Sequence, residues 1–175
     1  MKSILLITTF IIVRLIYVNS ILSEENNKLK DELADAQYKK VTGVGGIFFK
    51  SKDPKMLKEW YYKNLGLAPN DYGSLFEFRN SDSAAAIGYL QWSPFKETTK
   101  YFLPSEKEFM INYRVGNMEE LVRELKIDGV NFTDTIETYE YGKFVHLMDP
   151  EGNKIELWEP VDNEFTKLYE GKTTH

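Results

Sequence analysis

His146 and Glu156 are the residues best placed to do acid–base chemistry. The run Asp149-Pro-Glu-Gly-Asn153 joins two strand-like segments and has the composition of a tight hairpin turn. A five-residue turn there pairs Met148 with Lys154, and therefore His146 with Glu156. Side chains directly opposite on adjacent strands lie close enough to hydrogen bond. An imidazole beside a carboxylate can act as a general base near neutral pH. The alternative is a histidine whose hydrogen bonds only satisfy it within the sheet.

A second carboxylate follows from an internal repeat. Gly46-Ile-Phe-Phe-Lys-Ser-Lys-Asp53 and Met110-Ile-Asn-Tyr-Arg-Val-Gly-Asn117 are strand-like runs of equal length, each ending in a residue suited to cap a helix. The first helix is expected over Pro54–Asn64, with Gly66 as its stop. The second is expected over Met118–Asp128, with Gly129 as its stop. Leu57, Trp60 and Tyr61 in one, and Leu121 and Leu125 in the other, mark core faces. Each helix is followed by Tyr-Gly and a strand, at Tyr72-Gly73 and at Tyr141-Gly142. Aligned on these pairs, Glu77 occupies in the first copy the place of His146 in the second. The repeat therefore predicts Glu77 and His146 as partners across one cavity. An ion pair of Glu77 with Arg79, or a solvent-facing position, is the alternative.

Strand alternation selects the other candidates. Met110, Asn112 and Arg114 share one face of their strand, as do Gly46, Phe48 and Lys50. Arg114 could hold a carboxylate or phosphate, or lie at the strand end in water. Gln91 is the one metal-donor type on the run from Ala84 to Trp92. Phe48, Trp92 and Tyr89 read as aromatic walls or as ordinary core.

The elements that must position these residues occupy about 43–160. Residues 1–20 read as an export signal: Lys2, then the uncharged run Ile4–Val13, then small residues at Val18-Asn19-Ser20. Arg14 interrupts the apolar stretch, and a retained membrane anchor is the alternative. Secretion or a periplasmic location follows from cleavage, and membrane association only from retention. Residues 21–42 form a charged, helix-prone spacer in which Leu29, Leu33 and Ala36 make a narrow stripe. The connection Ser93–Phe109 between the copies is long enough for a lid or crossover. Residues 161–175 read as a frayed terminal helix and loop. Asn131-Phe-Thr133 is a glycosylation sequon if the host is eukaryotic. The chain of 175 residues carries 27 acidic and 22 basic side chains, a formal charge of -5. That balance argues against a nucleic-acid partner. With no cysteine, disulfides and thiolate chemistry are excluded.

The paired modules, and above all Asp149-Pro-Glu-Gly-Asn-Lys-Ile-Glu-Leu157, resemble the vicinal oxygen chelate superfamily. That superfamily includes glyoxalase I, bleomycin-resistance proteins, fosfomycin-resistance enzymes and extradiol dioxygenases. The resemblance covers residues 43–160, with modules at about 43–93 and 108–160. It implies an α+β fold in which two βαβββ modules form an open, barrel-like mixed sheet around a concave pocket. The pocket lining expected is Phe48, Gln91, Trp92, Met110, Asn112 and Arg114. The fosfomycin-resistance relatives use the position three before the turn Asp for substrate, which directs His146 into that pocket. Metal-dependent members take one ligand from each of four strands, and the matching positions here include Gly46, Met110 and Glu156. Glycine offers no donor and a thioether is a poor ligand for the ions concerned. Glu156 alone keeps a ligand-type side chain, with Gln91 a further donor of unfixed register. The expectation is therefore a pocket that binds a small molecule without the usual metal. A glyoxalase-type lyase or isomerase with a rebuilt divalent-metal site is one alternative. A metal-free acid–base enzyme using His146 with Glu77 or Glu156 is another. The resemblance also brings a homodimer as an expected partner, and the Ser23–Lys40 helix leaves an interaction domain as a weaker reading.

Overall fold

The structure, a computed structural model, describes residues 14–29, 40–80, 83–169 and 171–174. It falls into two units, divided between Lys39 and Lys40. In the first, residues 14–29 form a helix, α1, with every residue exposed. The helix runs through Ser20, the expected end of the signal. Among the described residues no helix is long and apolar enough to cross a membrane. Most of the expected signal, together with Leu33, Ala36 and His175, lies outside the described residues.

The second unit carries the repeat. Its elements are β1 (Val41–Ser51), α2 (Pro54–Leu65), β2 (Ser74–Asn80), β3 (Ser83–Lys96), β4 (Phe109–Val115), α3 (Met118–Ile127), β5 (Asn131–Phe132), β6 (Glu137–Tyr139), β7 (Gly142–Met148), β8 (Lys154–Pro160) and α4 (Asp162–Tyr169). The strands form one open mixed sheet in the order β2-β3-β1-β4-β8-β7-β5, with β6 on β7. β1 is parallel to β3, and β4 is parallel to β8. β1 and β4 meet antiparallel at the centre. There Gly46 pairs with Asn112 and Phe48 with Met110. Exchanging the modules maps one of these pairs onto the other, which fixes a local twofold between β1 and β4. In each module one strand and a helix are followed by the hairpin that completes it. The first module has two strands after its helix, and the second has four.

Local chemistry explains the ends of these elements. Asp53 caps α2, its carboxylate accepting from the Met56 amide at 2.9 Å. Gly66 ends that helix in the left-handed region, at φ 73. Asn117 stands at the start of α3 but makes no side-chain cap. The Met118 amide donates instead to Glu159 at 3.3 Å. Trp60, expected in the core, is exposed. α2 touches the sheet through a narrower face that includes Tyr61, whose ring meets Trp92 at 4.7 Å.

Two glycines of β1 are required by close approach. β1 is irregular between Val44 and Gly46. A Cβ at Gly45 would lie 2.2 Å from Asn112 Oδ1 and 2.7 Å from the Trp158 ring. One at Gly46 would lie 2.5 Å from the Phe48 ring. The bare backbone lets the side chains of β4 and β8 lie across β1.

Candidate functional site: a buried polar row on the concave face

The strand registers place Gln91, Gly46, Asn112, Glu156 and His146 in one row across five adjacent strands, β3-β1-β4-β8-β7. Asn112, Glu156 and His146 are buried. The five-residue turn sets His146 opposite Glu156 as expected. His146 Nε2 lies 2.8 Å from Glu156 Oε2. Asn112 Nδ2 donates to Glu156 Oε1 at 2.6 Å.

Two further members were not anticipated. Asp134, between β5 and β6, accepts from the His146 amide at 2.8 Å and lies 2.6 Å from His146 Nδ1. Tyr101, from the connection between the modules, donates its hydroxyl to Glu156 Oε2 and lies 3.2 Å from His146 Nε2. The imidazole is thus held at both nitrogens, by a carboxylate on one side and a carboxylate–phenol pair on the other. Burial, and then the Glu156 charge it faces, push the Tyr101 hydroxyl far above the usual phenol range. Burial pulls the Lys154 ammonium down, and the charges of Asp134 and Glu156 oppose that shift. No sequence pattern marked Asp134 or Tyr101, because both lie in aperiodic connections.

The connection is a cover. Lys154 donates to the Tyr101 carbonyl at 2.8 Å, and Ser105 Oγ to the Gly152 carbonyl at 2.6 Å. Phe102 packs in one buried cluster with Phe48 and Met110, with Phe95 alongside. Phe48 and Met110 therefore face inward as expected, but the chain's own aromatic side chains fill the space before them.

The other predicted residues are distributed differently. Trp92 packs on Phe49 at 5.2 Å and on Tyr61 of α2, so it belongs to the helix-covered face. It follows Gln91 directly, and adjacent strand residues cannot line the same face. The Gln91 amide is taken up locally, donating to the Ser74 and Trp92 carbonyls and accepting from Asn70. Lys50 pairs with Glu108 at 3.2 Å. Glu77 does not meet His146. It accepts from Thr173 at 2.9 Å. The Tyr-Gly match misleads by four residues. Under the twofold between β1 and β4, Ser93 corresponds to Glu156, and Gly73, beside Ser93, corresponds to His146. Four residues shift Glu77 along its strand by about 13 Å.

Arg114 is not in water. It is 3% exposed, with its guanidinium 5.6 Å from the Phe78 ring centre and 5.0 Å from that of Trp158. Its Nη2 donates to both oxygens of Asp162, at 2.8 and 2.6 Å. Asp162 opens α4, so the tail is docked rather than frayed. Phe165 packs on Tyr89 and Trp158, and Thr166 bonds the Tyr89 hydroxyl at 2.8 Å. The Thr174 amide donates to the Leu75 carbonyl at 2.7 Å.

A metal at the four positions that the resemblance implies does not fit these residues. With the twofold applied, the positions are Gly46, Ser93, Met110 and Glu156. Ser93 replaces Gln91 in this set, and its hydroxyl is bonded to the Tyr72 carbonyl at 2.9 Å. The Phe48 ring occupies the place of any side chain at Gly46, and Met110 is sealed in the aromatic cluster. Both Glu156 oxygens already accept hydrogen bonds.

No family model matches the chain, and no curated protein does so either. Solved structures do match. A Streptomyces coelicolor methylmalonyl-CoA epimerase variant, in complex with 2-nitronate-propionyl-CoA, is 15% identical, with a TM-score of 0.52. The match covers 69% of this chain and 99% of that one. A glyoxalase/bleomycin resistance protein/dioxygenase superfamily member from Vibrio splendidus is 12% identical, with a TM-score of 0.42, over 66% and 97%. The paired modules and the likeness to the epimerase together show the fold that the resemblance implies, an open, mixed α+β sheet. At such identities the likeness is one of fold, and function has to be argued from the site.

Proposed function

We propose that the domain binds a small molecule on the concave face of its sheet, without a metal at the four strand positions. The observation that carries this reading is the donor set Gly46, Ser93, Met110 and Glu156, in which Glu156 is already engaged by Tyr101 and Asn112. The same face buries Asn112, Arg114, His146 and Glu156, more polar chemistry than a packing surface needs. Both segments covering it, the Tyr101 connection and the α4 tail, lie outside the paired modules. The run from Lys2 to Val13 supports export as the setting. Metal analysis of the purified full chain tests the proposal. Less than a tenth of an equivalent of divalent metal is expected, roughly the level of adventitious binding, since three or more protein ligands normally hold such an ion. Stoichiometric metal that disappears in Glu156→Ala would overturn it.

A second reading is metal-free proton transfer by His146. It is favoured by Asp134 on Nδ1 with Tyr101 and Glu156 at Nε2. A base oriented in this way can pass a proton. Deuterium uptake from D2O into small carbonyl compounds, followed by NMR, would report it. Uptake that survives His146→Gln would dismiss it.

A further inference from the structure

We propose that Arg114 and the aromatic rings around it are a binding site for a small molecule carrying a carboxylate beside a flat apolar ring, and that α4 occupies this site as an intramolecular stand-in. The inference rests on the reading that the concave face binds a small molecule, and names the ligand class.

Arg114 is buried, yet its Nη1 has no hydrogen-bond partner among the described residues. A guanidinium offers a planar fork that matches both oxygens of a carboxylate. Asp162 meets only one tine of it, placing both of its oxygens on Nη2. Its backbone, tied into α4, holds the carboxylate off the second nitrogen. A buried donor of a charged group left unpaired is costly. A free carboxylate could engage both nitrogens.

One turn along α4, Phe165 sits in an aromatic box. Its ring centre lies 5.0 Å from Tyr89, 5.2 Å from Trp158 and 6.4 Å from Tyr141. Residues three apart on a helix share a face, with Cβ atoms about 5–6 Å apart. Asp162 and Phe165 thus present an anion and a ring at a short fixed separation to a guanidinium and a box. The occupant is docked but only half-buried. α4 has eight residues, none of them buried, and a helix that short has little stability of its own. Past it, the tail is held by Thr173 on Glu77 and by Thr174 at Ala68 and Leu75.

The test uses the full chain and 3-phenylpropionate as probe, with tryptophan fluorescence and calorimetry as readouts. Asp162→Asn keeps the shape of the tail but removes its anion. It should bind the probe at least about fivefold more tightly than the wild type, because the competent state is more populated. 3-Phenylpropan-1-ol, which lacks the carboxylate, should bind neither protein. Arg114→Met placed on Asp162→Asn should abolish probe binding. In the wild type, the probe should speed tryptic cleavage at Lys167 as α4 is displaced. Equal affinity of Asp162→Asn and wild type, or equal binding of acid and alcohol, overturns the proposal. If Asp162→Asn does not fold, the wild-type cleavage decides, and an unchanged rate overturns it. A metal-free protein that ignores the probe removes this site alone. Stoichiometric metal would remove the metal-free reading and leave the probe result standing.

Discussion

Glu156→Gln isolates the charge at the centre of the polar row. The carboxylate is buried, accepts from Asn112 and Tyr101, and lies 2.8 Å from His146 Nε2. Glutamine preserves the shape but leaves one accepting oxygen. If that oxygen keeps Asn112, the new amide faces the Tyr101 hydroxyl and His146 Nε2. The imidazole can then accept at Nε2 while Nδ1–H donates to Asp134, but Tyr101 loses its acceptor. Each hydrogen bond to a charged group contributes about 1.5–3 kcal/mol net. One bond lost and two weakened give an expected destabilisation of about 3 kcal/mol. Urea unfolding at pH 7, followed by tryptophan fluorescence, measures it, since all three tryptophans lie in the domain. The midpoint should fall with the slope unchanged. A loss below about 1 kcal/mol would refute the reasoning, because it would mean the charge carries little of the row's hydrogen bonding. A changed slope would show instead that the unfolded or native ensemble had shifted.

Further outcomes follow from the same geometry. The Tyr101 hydroxyl is raised far above its ordinary value by burial and by Glu156. The fold therefore holds this proton more tightly than the unfolded chain, and the associated stability is complete below about pH 10. It is lost as pH rises beyond that, and Tyr101→Phe should lack this part of the alkaline slope in a thermal-melt series from pH 8 to 12. Gly45→Ala would set a Cβ 2.2 Å from Asn112 Oδ1. It should cost about 2–3 kcal/mol by overpacking, whereas alanine at Gly116, with nothing within 4 Å, should cost far less by the same melt. Trp60→Ala should leave stability within about 1 kcal/mol, because the side chain is exposed, while Trp92→Ala, which removes a half-buried ring packed on Phe49 and Tyr61, should cost about 3 kcal/mol.

The sequence by itself determined what neighbouring residues decide among themselves. The Asp149–Asn153 turn sets its own register, so His146 faces Glu156 whatever else the chain does. Asp53 and Gly66 punctuate α2 through local backbone geometry. Strand alternation put Met110, Asn112 and Arg114 on one face of β4, and Gly46 and Phe48 on one face of β1. Tertiary packing decided the rest. The two Tyr-Gly pairs look equivalent, but the pairing of each with its neighbour is a long-range matter. The modules differ there by four residues, and Glu77 is carried away from His146. Alternation fixes the relative faces of residues in a strand, not which face the helices cover, so Trp92 lies under α2 and not in the expected pocket lining. Asp134 and Tyr101 come from aperiodic segments and reach His146 only because the sheet gathers distant connections over one surface. The tail carries a helical pattern in its sequence. That its Asp162 would find the buried guanidinium of Arg114 depends on Arg114 being enclosed first by Phe78 and Trp158, which no local pattern encodes.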